Sequence, residues 1–246
     1  MELISIITPL YNNEKYIKDT INSVLNQTYE NWEMIIVDDK SNDNGFDIAS
    51  AINDDRIILL SNETNLGVSK TRNKAIDIAR GRYIAFLDSD DIWESNYLES
   101  QLNFMKFNEC VACTSSVDRV TADNQQIIKT TIVPNEITFK QTLKTNNIIC
   151  STTVYDTNIL GKIYMPEYKC IREDMAAWLI ILKNYNFKGN PEILGRYRVH
   201  ASSSSSSKFK MIKYQYRTYR LCVKKNPFVS AFYVTCWAVS GLIKSK

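Results

Sequence analysis

Three carboxylates directly follow a short apolar run near the middle of the chain. Residues 83–87 are aromatic or aliphatic, and Asp88, Ser89, Asp90 and Asp91 come next. Such a run predicts a short strand that is covered on both faces of a sheet. Side chains two positions apart on an extended backbone point the same way, so Asp88 and Asp90 are expected to face one small volume.

This pair of carboxylates has the composition of a cation site. Two carboxylates at close range repel each other unless a positive group lies between them. A hard divalent cation usually takes one or two protein carboxylates and completes its shell with water and substrate phosphates. Asp88 and Asp90 suit such an ion. They equally suit a solvated acidic turn before a helix, and the stretch alone leaves both interpretations open.

The elements around this stretch alternate between strand and helix four times. Apolar runs predict strands at residues 3–9, 32–37, 56–60 and 83–87, with helical spacing between them. This alternation predicts an α/β fold with a parallel sheet and helices on both faces. Right-handed crossovers place the carboxyl ends of all four strands at one edge, where open α/β folds bind ligands. The residues gathered there are Pro9, Tyr11, Asp38, Asp39, Asn65, Lys70, Arg72, Asp88 and Asp90.

The chain lacks the usual glycine-rich phosphate loops. It has seven glycines and neither G-x-G-x-x-G nor G-x-x-x-x-G-K-[ST]. A nucleotide at this edge would need a metal ion and basic side chains to neutralise its phosphates, helped by the helix that starts near Gly67. Under this interpretation Asp39 accepts a hydrogen bond from a base or ribose, and Asp90 holds the metal.

Composition indicates an intracellular globular protein. The 246 residues are 44% hydrophobic and 23% charged, as in ordinary soluble domains. Six scattered cysteines and a start without a basic signal-peptide region predict reduced thiols and a cytoplasmic location. Cys110 and Cys113 form a C-x-x-C on a strand-like run, where odd spacing puts the thiols on opposite faces. We therefore expect neither a redox nor a zinc site there.

Charge is divided unevenly along the chain. The net charge is +3, yet no acidic residue follows Glu192, and eleven basic residues do. Residues 226–243 are uncharged, which is borderline for a membrane span. Small and polar residues within the run favour an interfacial helix with flanking lysines, although a partner interface, a span or plain packing stay open. No nucleic-acid-binding motif accompanies the charge, so we expect no nucleic-acid partner.

The second half is predicted to mix helices and strands. Arg172-Glu173-Asp174 then opens a helix with an apolar stripe that includes Trp178. Acidic residues in a first turn are favoured by the helix dipole, so plain capping also explains them. The other predicted elements are a helix at 95–107, a strand at 111–117, a hairpin arm at 126–133, a helix at 139–144 and a strand at 152–155.

Four segments together resemble glycosyltransferase family 2. They are SIITPLYN at 5–12, VDDKSND at 37–43, NLG at 65–67 with TRN at 71–73, and FLDSDD at 86–91. Each is weak alone, but their order and spacing are specific, and the resemblance covers roughly residues 3–205. It implies a GT-A fold, which has a Rossmann-like and mostly parallel sheet. It also implies a metal-dependent inverting enzyme of the bacterial surface-polysaccharide type, usually with a UDP-sugar donor.

The resemblance also implies a donor site. Asp90 is expected to bind Mn²⁺ or Mg²⁺, with Asp88 and His200 as further candidate ligands. Arg198 and His200 belong to a Tyr-Arg-x-His segment that lies over the diphosphate in similar enzymes, and the serine run 202–207 belongs to a loop. A surface histidine before a polyserine linker is the alternative. The residues expected to bind the donor nucleotide are Pro9, Tyr11, Asn12, Asp39, Asn65, Gly67, Arg72, Asp88 and Ser89.

The Glu-Asp pair supplies the expected catalytic residues. By the resemblance, Asp174 is the general base and Glu173 supports it. Burial near Trp178 would raise the pKa of such a carboxyl toward a useful value.

These observations predict a domain at 1–205, with a nucleotide-binding half at 1–94 and an acceptor half at 95–205. Residues 206–246 are expected to form a basic, aromatic helical extension that associates with a membrane surface. The predicted enzyme is cytoplasmic and peripheral on the inner face of the cell membrane. It would transfer a hexosyl or N-acetylhexosaminyl group to a glycan or lipid-linked acceptor. The alternatives are a nucleotidyltransferase, and a catalytically silent scaffold that binds a membrane or partner.

Overall fold

Short apolar runs form the first four strands, and the intervening helices pack their apolar residues against them. The computed structural model describes residues 1–200 and 208–244. Strands one to four pair in parallel in the order β3-β2-β1-β4, which confirms the predicted α/β sheet. The elements of this half are β1 (Ile4–Leu10), α1 (Ile17–Leu25), β2 (Trp32–Asp38), α2 (Gly45–Ser50), β3 (Ile57–Ser61), α3 (Val68–Ile78) and β4 (Tyr83–Phe86).

The second half extends the same sheet with mixed pairing. Its path continues β4-β9-β6-β10-β5, with β9 antiparallel to both neighbours and β10 parallel to β6. β7 pairs with β6, and β8 pairs with β10. The elements are β5 (Ile92–Trp93), α4 (Tyr97–Phe107), β6 (Ala112–Thr121), β7 (Ile127–Thr131), β8 (Glu136–Ile137), α5 (Phe139–Lys144), a 3₁₀ turn (Cys150–Thr152), β9 (Val154–Asp156), α6 (Thr157–Leu160), α7 (Glu173–Ile181), β10 (Phe187–Val199), α8 (Lys208–Leu221) and α9 (Pro227–Lys244).

β10 is the main element that sequence patterning does not predict. It contains two glycines and Pro191, residues that normally weaken or end a strand. Its pairing with β6 shifts register between Asn190 and Ile193, and again before Gly195. These irregularities accommodate the proline and let one long strand continue to Val199.

Apolar cores cover both faces of the sheet. One includes Phe86 with Trp178 of α7, whose rings meet edge-on with centroids 5.3 Å apart. The other includes Trp32 and Leu102. All six cysteines lie among the described residues, and none forms a disulfide. Burial raises the pKa of the Cys110 thiol to about 11, consistent with a packing role for this residue.

α8 belongs to the packed domain. Tyr219 is fully buried and its hydroxyl donates to the Leu143 carbonyl at 2.6 Å. The Thr218 hydroxyl accepts from the Arg172 backbone N–H at 2.8 Å, just before α7 begins. The boundary predicted near residue 205 therefore does not separate α8 from the main core. The serine run lies outside the described residues.

α9 leaves part of its apolar surface uncovered. Tyr233 and Val234 pack toward the core, and the ring of Tyr233 lies 5.8 Å from that of Tyr219. Phe228 and Phe232 are 87% and 59% exposed. Across residues 1–200 and 208–244, no helix has the length and apolar character needed to cross a membrane.

Asp39 anchors the start of α3. Its Oδ1 accepts from Asn62 Nδ2 at 2.9 Å and from the Leu66 backbone N–H at 2.8 Å, and its Oδ2 accepts from Gly67 N–H at 2.8 Å. Gly67 has a φ of 87°, a conformation that glycine adopts without strain. The carboxylate expected to accept from a nucleoside is thus bonded to three donors within the protein.

We predict that Asp39→Asn lowers the free energy of unfolding by about 1–3 kcal/mol, because an amide NH₂ would replace one oxygen that faces N–H donors. Urea denaturation measures the change. Asp55→Asn is the matched control at an exposed position, with an expected change within about 0.5 kcal/mol. Equal stability of the two variants would contradict the anchoring role.

Candidate active site

The acidic stretch after β4 forms a turn. β4 ends at Phe86, and the Asp91 backbone N–H donates to the Asp88 carbonyl at 3.1 Å. The expectation that Asp88 and Asp90 share an extended backbone is therefore wrong. The turn forms because the chain bends back to bury Asp91, whose Oδ2 accepts from Ser151 Oγ at 2.5 Å.

Asp88 is held by Arg72 from α3. Arg72 Nη2 donates to Asp88 Oδ1 at 2.5 Å, and Nη1 of the same guanidinium donates to Glu173 Oε1 at 2.9 Å. The Arg72 side chain is only 5% exposed. One buried cation therefore joins the acidic turn after β4 to the first residue of α7.

Burial and charge act in opposite directions at this cluster. Burial alone would lower the pKa of Arg72, but Asp88, Cys150 and Glu173 raise it well above its ordinary value. Burial raises the pKa of Glu173, an effect that the charge of Arg72 opposes. Arg72 therefore favours the carboxylate form of Glu173.

Asp90 faces the end of β10. Its Oδ2 lies 2.8 Å from His200 Nε2, and the His200 ring lies 5.0 Å from the Tyr16 ring. Burial raises the pKa of Asp90, and the nearby charge of Asp88 adds to the increase. Like charges crowd this site, which favours a cation beside them.

Asp91 is a structural member of the site that the sequence interpretation left without a role. Its Oδ1 accepts from the Arg198 backbone N–H at 2.9 Å, so this carboxylate fixes β10 against the acidic turn. Burial raises its pKa well above the ordinary value. The sequence indicated the role of Asp91 only through its place beside Asp88 and Asp90, and this pattern does not tell which of the three carboxylates is buried.

Arg198 lies behind the acidic turn. Its Nη2 donates to Asp19 Oδ2 at 2.6 Å and its Nη1 to the Asp90 carbonyl at 3.0 Å, while the guanidinium lies over the Tyr16 ring. The side chain is fully buried. Arg198, the predicted diphosphate contact, thus bonds to Asp19 and to the acidic turn in this structure.

Asp174 lies in the first turn of α7 beside Glu173. Arg172 Nε is 3.7 Å from Asp174 Oδ1, and the side chain of Asp174 is 15% exposed. Met175 and Trp178 are fully buried and fix this end of α7 in the core. The predicted base and its neighbour thus lie next to the cluster that contains Asp88.

The remaining predicted nucleotide contacts divide into two groups. Ser89 is buried, and its hydroxyl accepts from Asn13 Nδ2 at 2.7 Å. Asn12 has a φ of 51°, and its Oδ1 accepts from the Asn42 N–H. The others lie at the carboxyl edge of the sheet, either at or after the end of β1 or just before α3: Pro9, Tyr11, Asn12, Asn65 and Gly67. Ser89 follows β4, and its carbonyl accepts from Thr20 Oγ1 of α1 at 3.0 Å.

The residues present fit a metal ion that is shared with a substrate. In the part of the chain that the structure describes, no three His, Cys, Asp or Glu side chains are grouped to hold a metal. Asp90 supplies one carboxylate and His200 one imidazole, and Asp90 Oδ2 lies 2.8 Å from His200 Nε2. Mg²⁺ commonly uses one or two protein carboxylates and completes its shell with substrate phosphates, and carboxylates also suit Mn²⁺.

Known proteins with similar sequences are glycosyltransferases. TuaG of Bacillus subtilis (strain 168), whose name assigns it to teichuronic acid biosynthesis, is 41% identical over 221 residues, covering 89% of this chain and 87% of that protein. WfgD of Escherichia coli, a UDP-Glc:α-D-GlcNAc-diphosphoundecaprenol β-1,3-glucosyltransferase, is 39% identical over 244 residues, covering 98% and 94%.

Solved structures share the fold. Staphylococcus aureus TarS in complex with UDP-GlcNAc has a TM-score of 0.76 at 22% identity, covering 97% of this chain and 72% of that chain. The mannosyltransferase PcManGT from Pyrobaculum calidifontis, in complex with GDP-Man and Mn²⁺, has a TM-score of 0.70 at 14% identity, covering 96% and 73%. These neighbours confirm the GT-A fold. The model of the family described as glycosyl transferase family 2 matches residues 5–162, more than half of the chain, and the protein belongs to that family.

Proposed function

We propose that this glycosyltransferase transfers a sugar from a UDP-sugar to a hydroxyl of a lipid-linked or growing glycan, with inversion at the anomeric carbon. The observation that carries the proposal is the link from Asp88 through Arg72 to Glu173. It brings the acidic turn of the nucleotide-binding half beside the Glu-Asp pair of the acceptor half. A donor phosphate site and a proton acceptor can then serve one reaction.

The donor side suits a nucleoside diphosphate. Asp90 and His200 would hold Mn²⁺ or Mg²⁺ together with the diphosphate, and the ion would supply electrostatic stabilisation of the charge on the leaving group. Pro9, near the end of β1, and Tyr11, just after it, lie at the edge where the nucleoside is expected. WfgD, 39% identical over 98% of this chain, has UDP-Glc in its name, which supports uridine as the nucleoside.

The acceptor side suits a single displacement. Asp174 takes the proton from the acceptor hydroxyl while that oxygen attacks the anomeric carbon. The bond to the diphosphate breaks as the new glycosidic bond forms, so the configuration inverts. Glu173 stays bonded to Arg72 and supports the position of Asp174. The proton ends on Asp174, and the nucleoside diphosphate leaves with the electron pair.

The proposed acceptor carries a sugar on a lipid diphosphate. This class comes from WfgD, whose name specifies α-D-GlcNAc-diphosphoundecaprenol, at 39% identity over nearly the whole chain. TuaG supports a related role in cell-surface polysaccharide synthesis. We propose that the donor sugar is a hexose or an N-acetylhexosamine.

The test is transfer from UDP-glucose or UDP-GlcNAc to GlcNAc-diphosphoundecaprenol with Mn²⁺. We expect one UDP released for each sugar transferred, loss of activity in EDTA and recovery with added Mn²⁺. Release of pyrophosphate would instead identify a nucleotidyltransferase. Absence of turnover and of UDP binding would identify a silent scaffold.

Two variants test the proposed roles of single residues. Asp90→Asn and Asp174→Asn are each expected to reduce transfer at least about 100-fold, since one weakens metal binding and the other removes the base. Asp55→Asn is the exposed control, and thermal unfolding checks that all three variants fold. Near-normal turnover in either site variant would remove that residue from the mechanism.

We also propose that α9 binds the cytoplasmic face of an anionic membrane. Phe228 and Phe232 project one turn apart from the same helix, and Lys224 is exposed just before it. Apolar rings beside basic residues are typical of an interfacial helix, and each basic residue near such a surface contributes about 1 kcal/mol. This location would place the active site near a lipid-linked acceptor.

Vesicle binding tests this placement. The double variant Phe228→Ser/Phe232→Ser is expected to lose at least about tenfold in affinity for vesicles that contain anionic lipid, because the inserted rings provide apolar burial. Phe107→Ser is the matched control, since Phe107 is 89% exposed but lies on α4. Equal binding by wild type and the double variant would contradict the role of α9.

A further inference from the structure

Arg72 makes two ion pairs that connect distant parts of the chain. Its two terminal nitrogens bond different carboxylates, Asp88 at 2.5 Å and Glu173 at 2.9 Å. Glu173 is 101 residues away in sequence. The guanidinium therefore joins α3, the turn after β4 and the first turn of α7, and it does so from a buried position.

The elements on either side of Arg72 are themselves anchored. α3 is fixed at its start by Asp39, and the next residue, Asn73, bonds the Met165 backbone through both its amide nitrogen and its oxygen, at 2.9 and 2.8 Å. The segment that enters α7 is fixed from the other side by Thr218 of α8. Among the described residues, Arg72 links the acidic turn to Glu173 through its two ion pairs.

This geometry gives Arg72 a task different from nucleotide binding. Both terminal nitrogens are already bonded to carboxylates, and the side chain is nearly inaccessible. A guanidinium with a planar fork holds two acceptors at fixed directions, which an ammonium cannot do. The contact therefore controls where the first turn of α7 lies relative to Asp88.

We propose that Arg72 is a positioning residue that holds Glu173, and with it Asp174, in register with the donor site. The inference rests on the proposed function for its kinetic consequence. Asp174 follows Glu173 directly, so a shift of this turn moves the base relative to the anomeric carbon. Misplacement of a catalytic group by about 1 Å can cost about 100-fold in rate.

Kinetics and binding separate positioning from nucleotide contact. For Arg72→Met we expect kcat to fall about 100-fold, while the Kd for UDP with Mn²⁺, measured by calorimetry, stays within about threefold, a change of under about 0.7 kcal/mol. Arg72→Lys should recover part of kcat because it keeps the charge. A tenfold or larger loss of UDP affinity with unchanged kcat would overturn the proposal in favour of a nucleotide contact.

Arg82→Met is the matched control. Arg82 also joins two carboxylates, Glu2 at 2.8 Å and Asp156 at 2.9 Å, but it precedes β4 at the opposite end of the strand. This variant removes a comparable pair of contacts away from the site. We expect wild-type kcat and UDP affinity from it. A loss of kcat equal to that of Arg72→Met would indicate general destabilisation and overturn the specific role.

A double-mutant cycle tests the path through Glu173. If Arg72 acts on Asp174 through Glu173, Glu173→Gln alone should lower kcat, and Arg72→Met/Glu173→Gln should be no slower than Arg72→Met. The proposal would be overturned if the double variant lost the product of the two single-variant losses in kcat. It would also be overturned if Glu173→Gln kept the wild-type kcat. If Arg72→Met does not fold, the kcat of Glu173→Gln alone still tests the proposal.

Hydrogen exchange gives a readout that needs no turnover. We expect Arg72→Lys to speed exchange of the amides in the first turns of α7 and to leave α4 unchanged, relative to Arg82→Met. Unchanged exchange in α7 would overturn the positioning role. If the wild type transfers no sugar from any donor, the proposed function fails, and this comparison still decides whether Arg72 positions α7.

Discussion

Crowding of carboxylates at one edge of the sheet is the constraint on which the arrangement of this site depends. Asp88, Asp90, Asp91 and Glu173 all lie there, and leaving a buried charge unpaired costs several kcal/mol. Each has a partner: Asp88 and Glu173 share Arg72, Asp90 meets His200, and Asp91 accepts from Ser151 and a backbone N–H. These partners come from α3, from β10 and the residue that follows it, and from the 3₁₀ turn. Pairing the acids therefore also fixes these elements against one another.

The same contacts relate structure to chemistry. Asp91 holds β10 in place from the buried side, which lets Asp90 meet His200 at the end of that strand. Arg72 holds Glu173 from the other side, next to Asp174. The proposed donor and acceptor sides are thus held by neighbouring ion pairs.

Much of the fold and of the site's membership follows from local sequence. The first four strands are apolar runs, and their alternation with helices is sufficient to predict a parallel sheet and its polar edge. The motifs around Asp39, Arg72 and Asp88 predict the family. The turn at Asp88–Asp91 was not predictable, because it depends on Ser151 and Arg198, which are distant in sequence. The ion pair of Arg72 with Glu173, 101 residues away, was missed for the same reason.

The C-terminal part shows how composition can mislead. Its positive charge predicts one surface-bound extension, yet Gln215, Thr218 and Tyr219 of α8 are fully buried and hold α5 and α7. The basic residues of α8 alternate with these buried positions, so net charge conceals an amphipathic helix. α9, by contrast, exposes the aromatic rings of Phe228 and Phe232. The long strand β10 was missed because Pro191 and two glycines oppose a strand locally, whereas pairing with β6 stabilises it.

The central claim is that the acidic edge binds a nucleoside diphosphate together with a metal ion. Thermal unfolding with UDP, GDP, dTDP and CDP, each with Mn²⁺ and with EDTA, tests it most directly. The account predicts that UDP with Mn²⁺ stabilises the fold, by about 2.7 kcal/mol at 100 times its Kd, and that EDTA removes the effect. No stabilisation by any nucleotide, or the same stabilisation in EDTA, would contradict it.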